Sequence, residues 1–247
     1  MPDVPKYGLI GRNISHSLSP DYFNKKFRRE GIKANYLLFD VETVDEIKRI
    51  IKVHPMLKGF NVTIPFKKEI IPLINRLSAE AEAVGAVNTV KITKSGLEGF
   101  NTDVAGFRAS FKPLVADRLP LKALVLGTGG ASKAVEFVLK QLSIPYQLVS
   151  RVKRKNNITY SDIGKEMLTD YRIIINTTPL GTFPNIEKAP IIPYHHLSKE
   201  HILYDLIYNP QETLFLKEGS RAGAATKNGL EMLHLQAEAS WQIWQND

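Results

Sequence analysis

A two-domain α/β fold is predicted by three observations. Strand-like apolar runs alternate with helical ones along the chain, the pattern of a sheet covered by helices. Short polar islands close several of the strand-like runs, where a rigid sheet presents side chains for chemistry. The loop Gly127-Thr-Gly-Gly-Ala-Ser132 lies between a strand-like run and a helical one. Such a loop allows a tight turn and aims a helix N-terminus at a phosphate. At 247 residues the chain is long enough for two ordinary domains.

The first unit is predicted element by element. Tyr7–Gly11 reads as a short strand. Pro20–Glu30 reads as a helix, with Ser19 suited to the N-cap, Pro20 to the first position and Gly31 to the stop. Asn35–Phe39 is the next strand. Thr43-Val-Asp-Glu46 matches a capping box, and Val44, Ile47, Ile50 and Ile51 make one apolar face behind it. Gly59–Ile64 is a strand, followed by a short helix that Pro72 interrupts. Ala79–Val84 is a helix ending at Gly85, and Val87–Ile92 a strand.

A second unit begins near Val104. Leu121–Leu126 has the continuous apolar character of a buried strand. Ala131–Leu142 is a helix and Tyr146–Val149 a strand, with further strands at Ile173–Asn176 and Ile202–Leu206. Residues 211–222 form a helix ending near Gly223. Leu230–Trp244 is a long amphipathic helix.

Composition narrows the function. Apolar residues are 43% and charged residues 23%, as in a soluble globular protein. The absence of cysteine excludes disulfides, thiolate metal sites and a thiol nucleophile. No apolar run approaches the roughly 20 residues that span a bilayer. Met-Pro-Asp-Val-Pro-Lys lacks the apolar stretch of a secretory signal, so the cytoplasm is expected. The net charge of +8 favours anionic partners, but its basic residues are spread along the chain, which argues against nucleic acid. One dense cluster, Arg151-Val-Lys-Arg-Lys155, follows a strand and suggests a narrower task.

That task is cofactor choice. After the glycine-rich loop, the next strand of an NAD site usually ends in Asp or Glu to hold the ribose 2′-hydroxyl. Here it ends in Val149-Ser-Arg151. A guanidinium binds a 2′-phosphate in a bidentate fork, so NADP is expected over NAD. The other islands are Asn13-Ile-Ser-His-Ser-Leu-Ser-Pro20, Asn61-Val-Thr-Ile-Pro-Phe-Lys67, Gly85-Ala-Val-Asn-Thr89 and Asn101-Thr-Asp103. Each residue has an ordinary reading. Lys67 could be a surface lysine, Asp103 the N-cap of a helix from Val104, Asn88 a partner for backbone groups, and Ser15, Ser17 and Ser19 turn residues. Their joint occurrence in this order is what points to a site for a small polar substrate.

These segments, with Asp205-Leu-Ile-Tyr-Asn-Pro210, Asn228-Gly-Leu230 and Gln236, resemble the shikimate/quinate dehydrogenase family over nearly the whole chain. The resemblance implies roles. Ser17 and Ser19 would hold a substrate carboxylate. Thr63, Asn88, Asp103 and Gln236 would bind ring hydroxyls, with Lys67 and Asp103 the catalytic pair and Tyr208 near the carboxylate. Gly127, Gly129, Gly130 and Ala131 would cradle the pyrophosphate of NADP. Ser150, Arg151 and Arg154 would meet its 2′-phosphate, and Thr177, Leu206 and Gly229 would line the nicotinamide.

The resemblance also implies residues 1–103 as a substrate-binding domain, 104–229 as a Rossmann-type NADP domain, and a C-terminal helix, 230–247, packing back on the first, with the substrate in the cleft. The implied reaction is NADPH-dependent reduction of 3-dehydroshikimate to shikimate. Two departures stand out. Ser150-Arg151-Val152 replaces the family's usual Asn-Arg-Thr, removing one phosphate contact. The chain ends at Asp247, so a reduced C-terminal element is expected.

Other schemes fit less well. Tyr22 and Lys26 have the spacing of a short-chain dehydrogenase pair but precede the nucleotide loop. His195, His196 and His201 lack a carboxylate pattern for a metal, so no metal is expected. There is no Gly-x-Ser-x-Gly elbow. A quinate dehydrogenase, NAD use, a non-catalytic ligand-binding regulator and a homodimer stay open at this level.

Overall fold

The computed structural model describes residues 4–116, 118 and 120–246. The chain divides into two compact units. One joins the residues up to Ala105 with those from Gln236 onward; the other is Gly106–Leu235. These boundaries differ slightly from the expected 103/104 and 229/230. Both fall inside continuous helices, α4 (Thr102–Val115) and α8 (Leu230–Gln245), and a continuous helix gives no linker composition to read.

The first unit is built on a mixed six-stranded sheet. Its strands are β1 (Lys6–Gly11), β2 (Asn35–Asp40), β3 (Leu57–Val62), β4 (Arg76–Leu77), β5 (Thr89–Thr93) and β6 (Gly96–Phe100), in the order β2-β1-β3-β5-β6-β4. β1 runs parallel to β2 and β3, while β5 is antiparallel to β3 and β6. β6 was not expected. Its Gly-Leu-Glu-Gly-Phe carries little strand propensity, and it forms because the hairpin at Gly96 returns the chain onto β5.

One apolar cluster gathers Ile10, Ile47, Phe60, Val62, Phe66, Ile70 and Val90. It takes in the apolar face of α2 (Glu46–Val53). The capping box forms only in half. The Glu46 carboxylate accepts the Thr43 N–H, but the helix starts at Glu46 itself with Asp45 at the N-cap. A second, aromatic cluster joins α1 (Ser19–Arg29) to α8 through Tyr7, Phe23, Phe27, Tyr36, Trp241 and Trp244. The Trp244 indole N–H donates to the Val90 carbonyl at 3.0 Å. A side chain at Gly59 would collide with that ring, so a glycine is needed beneath it.

The second unit has an all-parallel sheet. Its strands are β7 (Ala123–Leu126), β8 (Tyr146–Ser150), β9 (Asn157–Thr159), β10 (Ile173–Asn176), β11 (Ile202–Asp205) and β12 (Ala225–Lys227). The order β12-β11-β10-β7-β8-β9 reverses direction between β7 and β10. In such sheets ligands bind beyond the carboxyl ends of the strands at that reversal. The helices are α5 (Gly130–Gln141), α6 (Lys165–Asp170) and α7 (Leu214–Arg221). In the first unit the remaining short helix is α3 (Ala79–Val84), capped by Ser78 and closed by left-handed Gly85. β9, α6 and β12 were not expected, because each is six residues or fewer with little apolar pattern.

Candidate functional site

The serine loop leaves the carboxyl end of β1. Asp40, at the end of β2, accepts the backbone N–H groups of Asn13 (2.8 Å) and Ile14 (3.3 Å) and so fixes the loop. Asn13 sits at φ +56, in the left-handed region that asparagine tolerates. Ser19 does not cap α1 as expected. It is the first residue of the helix, and Leu18 precedes it without a side-chain cap. Instead the Ser17 hydroxyl accepts the Ser19 N–H at 3.3 Å. Ser17 is half-buried and Ser19 buried. The role of Asp40 was missed, because a carboxylate at a strand end carries no local signature.

Lys67 is placed by backbone bonds. The Thr63 N–H donates to the Ile10 carbonyl and the Phe66 N–H to the Thr63 carbonyl, each at 2.9 Å. Phe66 is fully buried and anchors the turn. The Lys67 carbonyl accepts the Val87 N–H at 2.8 Å, which sets the lysine beside the Gly85–Asn88 turn. Its ammonium lies 2.6 Å from Asp103 Oδ2, with side chains only 15% and 8% exposed. Thr63 is half-buried on the same segment.

Asp103 is free for this because another residue caps α4. The helix begins at Thr102, and the Asn101 side chain accepts the Val104 N–H at 3.3 Å. The capping role that the sequence left open as Asp103's ordinary reading is filled by Asn101 instead. Asn88 completes the cluster. Its Oδ1 accepts the Thr102 backbone N–H at 2.7 Å, and that fixed donor decides the amide orientation. Nδ2 then faces Asp103 Oδ1 at 2.9 Å and Gln236 Oε1 at 3.5 Å. Both Asp103 oxygens thus accept, the pattern of a carboxylate held between a cation and an amide. Lys67, Asn88, Asp103 and Gln236 are brought together, whereas Tyr208 belongs to the second unit.

In the second unit, Gly127 adopts φ +110, and a Cβ there would stand 2.6 Å from Thr177 Oγ1. Gly129 has nothing within 4 Å of the place a Cβ would take, leaving open space before α5. Gly130 and Ala131 start that helix, whose first turn has no acidic residue and no side-chain cap. Its first N–H groups are therefore left without a side-chain partner, an arrangement that suits an anion. The Thr177 hydroxyl donates to the Leu126 carbonyl at 2.7 Å. Leu206 extends the ladder to Asn176 at 3.0 Å, and a side chain at Gly229 would collide with the Leu206 carbonyl. Thr177, Leu206 and Gly229 are thus held by tight backbone packing around the ends of β10 and β11.

Beyond β8, the Ser150 hydroxyl donates to the Val152 carbonyl at 2.7 Å, so its hydrogen is used within the turn. The Asn157 amide donates to the same carbonyl at 2.9 Å and braces Arg151–Arg154. Asn157 was missed, since it lies on the unexpected β9. Arg151 and Arg154 are exposed, and among the described residues neither has an ion-pair partner. These features fit a dinucleotide bearing a 2′-phosphate.

Asp205 is fully buried at the end of β11. Burial pushes its carboxyl up to about 7, against hydrogen bonds from the Thr213 hydroxyl, the Ile207 N–H and the Asn176 amide. A raised folded value means stability present below the unfolded value near 4 and lost as pH rises through 7. The unfolding free-energy difference between wild type and Asp205→Asn should therefore shrink from pH 4.5 to 7.5, by about 3 kcal/mol. Denaturant titrations at several pH values measure it; a constant or widening difference would show that the three donors keep Asp205 ionised throughout.

Comparison with known proteins agrees with this geometry. Residues 9–90 match the family model for the shikimate dehydrogenase substrate binding domain. A shikimate dehydrogenase (NADP(+)) of Methanococcus aeolicus is 37% identical, over 96% of this chain and 90% of that protein. The crystal structure of the Aquifex aeolicus shikimate dehydrogenase superposes with a TM-score of 0.89 at 35% identity, covering 99% of this chain and 94% of that one. The Thermus thermophilus enzyme, solved with NADP(H) and shikimate, gives a TM-score of 0.84 at 29% identity, covering 98% and 93%. The mixed-sheet unit with its lysine–aspartate pair, the reversing parallel sheet with its glycine loop, and these likenesses together place the chain in the shikimate dehydrogenase family.

Proposed function

We infer that this chain is an NADP-dependent shikimate dehydrogenase, interconverting 3-dehydroshikimate and shikimate for aromatic amino-acid synthesis. The observation that carries it is the Lys67–Asp103 pair, 2.6 Å apart and braced by Asn88. In this reading Ser17 and Ser19 bind the substrate carboxylate, and Tyr208 assists. Thr63, Asn88, Asp103 and Gln236 bind ring hydroxyls. Lys67 stabilises the negative charge that grows on the carbonyl oxygen and gives that oxygen its proton. Asp103, both oxygens accepting, orients the ammonium and the reacting hydroxyl. In the oxidising direction Lys67 takes the proton back. A nicotinamide cofactor, when bound, would supply the hydride chemistry at the ring carbon.

For the cofactor, Gly127, Gly129, Gly130 and Ala131 leave room for the pyrophosphate at the start of α5. Arg151 and Arg154 would donate to the 2′-phosphate, with Ser150 shaping their turn. Thr177, Leu206 and Gly229 would line the nicotinamide. Among the described residues no helix is long and apolar enough to cross a membrane. The cytoplasm is the compartment this reading implies. Its one required partner is the small-molecule substrate, and a homodimer is compatible with it.

The test is oxidation of shikimate with NADP⁺, followed at the nicotinamide absorbance, beside parallel assays with quinate and with NAD⁺. Turnover fastest with shikimate and NADP⁺ is the expected result. Preference for quinate would reassign the substrate, and no turnover with any pairing would leave a ligand-binding protein.

A further inference from the structure

Beneath the catalytic pair lies a group of buried polar side chains to which the reaction gives no task. Tyr36, Asn61, Thr89 and Ser240 come from β2, β3, β5 and α8, and none is more than 5% exposed. Among the described residues, no buried side-chain nitrogen or oxygen lacks a hydrogen-bond partner. A closed polar cluster of this kind stabilises little compared with apolar residues of the same shape, but it fixes orientation.

The hydrogens can be followed through it. The Tyr36 phenol donates to Asn61 Oδ1 at 2.8 Å. The Asn61 amide nitrogen therefore faces Ser240 Oγ at 2.9 Å and Thr89 Oγ1 at 3.0 Å. Both hydroxyls accept from Asn61 and direct their own hydrogens onward. Ser240 donates to the Gln236 carbonyl at 2.9 Å, and Thr89 to Asn88 Oδ1 at 3.1 Å. Thr89 and Ser240 also lie 2.9 Å from each other and 3.0 Å from Thr102 Oγ1. Asn88 is the side chain whose other end donates to Asp103.

We propose that Tyr36, Asn61, Thr89 and Ser240 are positioning residues that hold the Asn88 amide, and through it Asp103, in line with Lys67. The proposal rests on the dehydrogenase reading above. An amide is nearly symmetric in shape, so packing alone does not choose between its two ends; only its hydrogen-bond partners do. The Thr102 N–H and the Thr89 hydroxyl are two donors that converge on Asn88 Oδ1. Ser240 sits one helical turn beyond Gln236, so it ties α8 to the same cluster.

The test uses Thr89→Val, which keeps the shape and removes the hydroxyl. Its kcat with shikimate should fall about tenfold, since small misplacement of reacting groups is costly. KM for NADP⁺ should stay within about twofold of wild type, because that site lies elsewhere. Thr89→Ser, which restores the hydroxyl, should recover most of kcat. A crystal structure of Thr89→Val should show the Asn88–Asp103 contact lengthened or the amide reversed. Tyr36→Phe, which keeps the ring, should lower kcat in the same sense and serves if Thr89→Val does not fold. A merely structural cluster would lower the melting temperature and leave kcat and the Asn88–Asp103 contact unchanged, and that result overturns the proposal. The two readings fail separately: wild type inactive on shikimate refutes the dehydrogenase reading, whereas an active wild type with an unchanged Asn88–Asp103 contact and kcat in the variants refutes the positioning network alone.

Discussion

Replacing Lys67 with alanine lowers shikimate turnover about a hundredfold or more, because a positioned acid–base group contributes roughly 10²–10⁴. The expectation follows from geometry. The ammonium touches Asp103 at 2.6 Å, and the Lys67 side chain is only 15% exposed. Lys67→Arg separates the two things a lysine does. An arginine keeps the positive charge but does not release its proton near neutral pH. If proton transfer dominates, Lys67→Arg falls nearly as far as Lys67→Ala. If charge stabilisation dominates, it recovers a large part of the loss. Loss of the lysine leaves the buried Asp103 without its cation, so each variant needs its melting temperature measured beside its steady-state rate. A folded Lys67→Ala with near-wild-type turnover would end the catalytic assignment.

The next largest effect is expected at the cofactor. Arg151→Ala should weaken NADP⁺ by about ten- to a hundredfold, the worth of one charge-assisted hydrogen bond, and leave NAD⁺ nearly unchanged. Arg151 is exposed and, among the described residues, has no acidic partner, so its removal breaks no internal ion pair and should not unfold the turn. The turn is held instead by Asn157 and Ser150, through the Val152 carbonyl. Arg154 stands on the same turn, so the double variant should discriminate still less between the two cofactors. Isothermal titration with each dinucleotide reads the difference. Equal losses for both would mean that Arg151 acts on the shared pyrophosphate or on folding.

The departure at Val152 can be placed as well. Its side chain is 64% exposed and its carbonyl, not its side chain, organises the turn. A valine there removes a hydroxyl without disturbing the backbone that positions the two arginines.

Much of this protein was legible in its sequence because the signals are local. Alternation of apolar and helical runs gave the α/β class. Glycines at a strand–helix junction marked a candidate phosphate loop, since few other residues allow that backbone. The serine, lysine and aspartate islands sat at strand ends, where side chains are held for chemistry. What the sequence did not carry is pairing across distance. That Asp40 ties down the serine loop depends on a contact between elements far apart in the chain; that Asn101 and not Asp103 caps α4, and that Asn157 braces the arginine turn, are local bonds that become definite only when the backbone is placed. The strand order of each sheet and the short edge strands β9 and β12 likewise come from neighbours rather than from their own residues. Hydrogen bonds are directional and short, so which of several polar residues does a given task is decided only when folding brings one of them within about 3 Å of its partner.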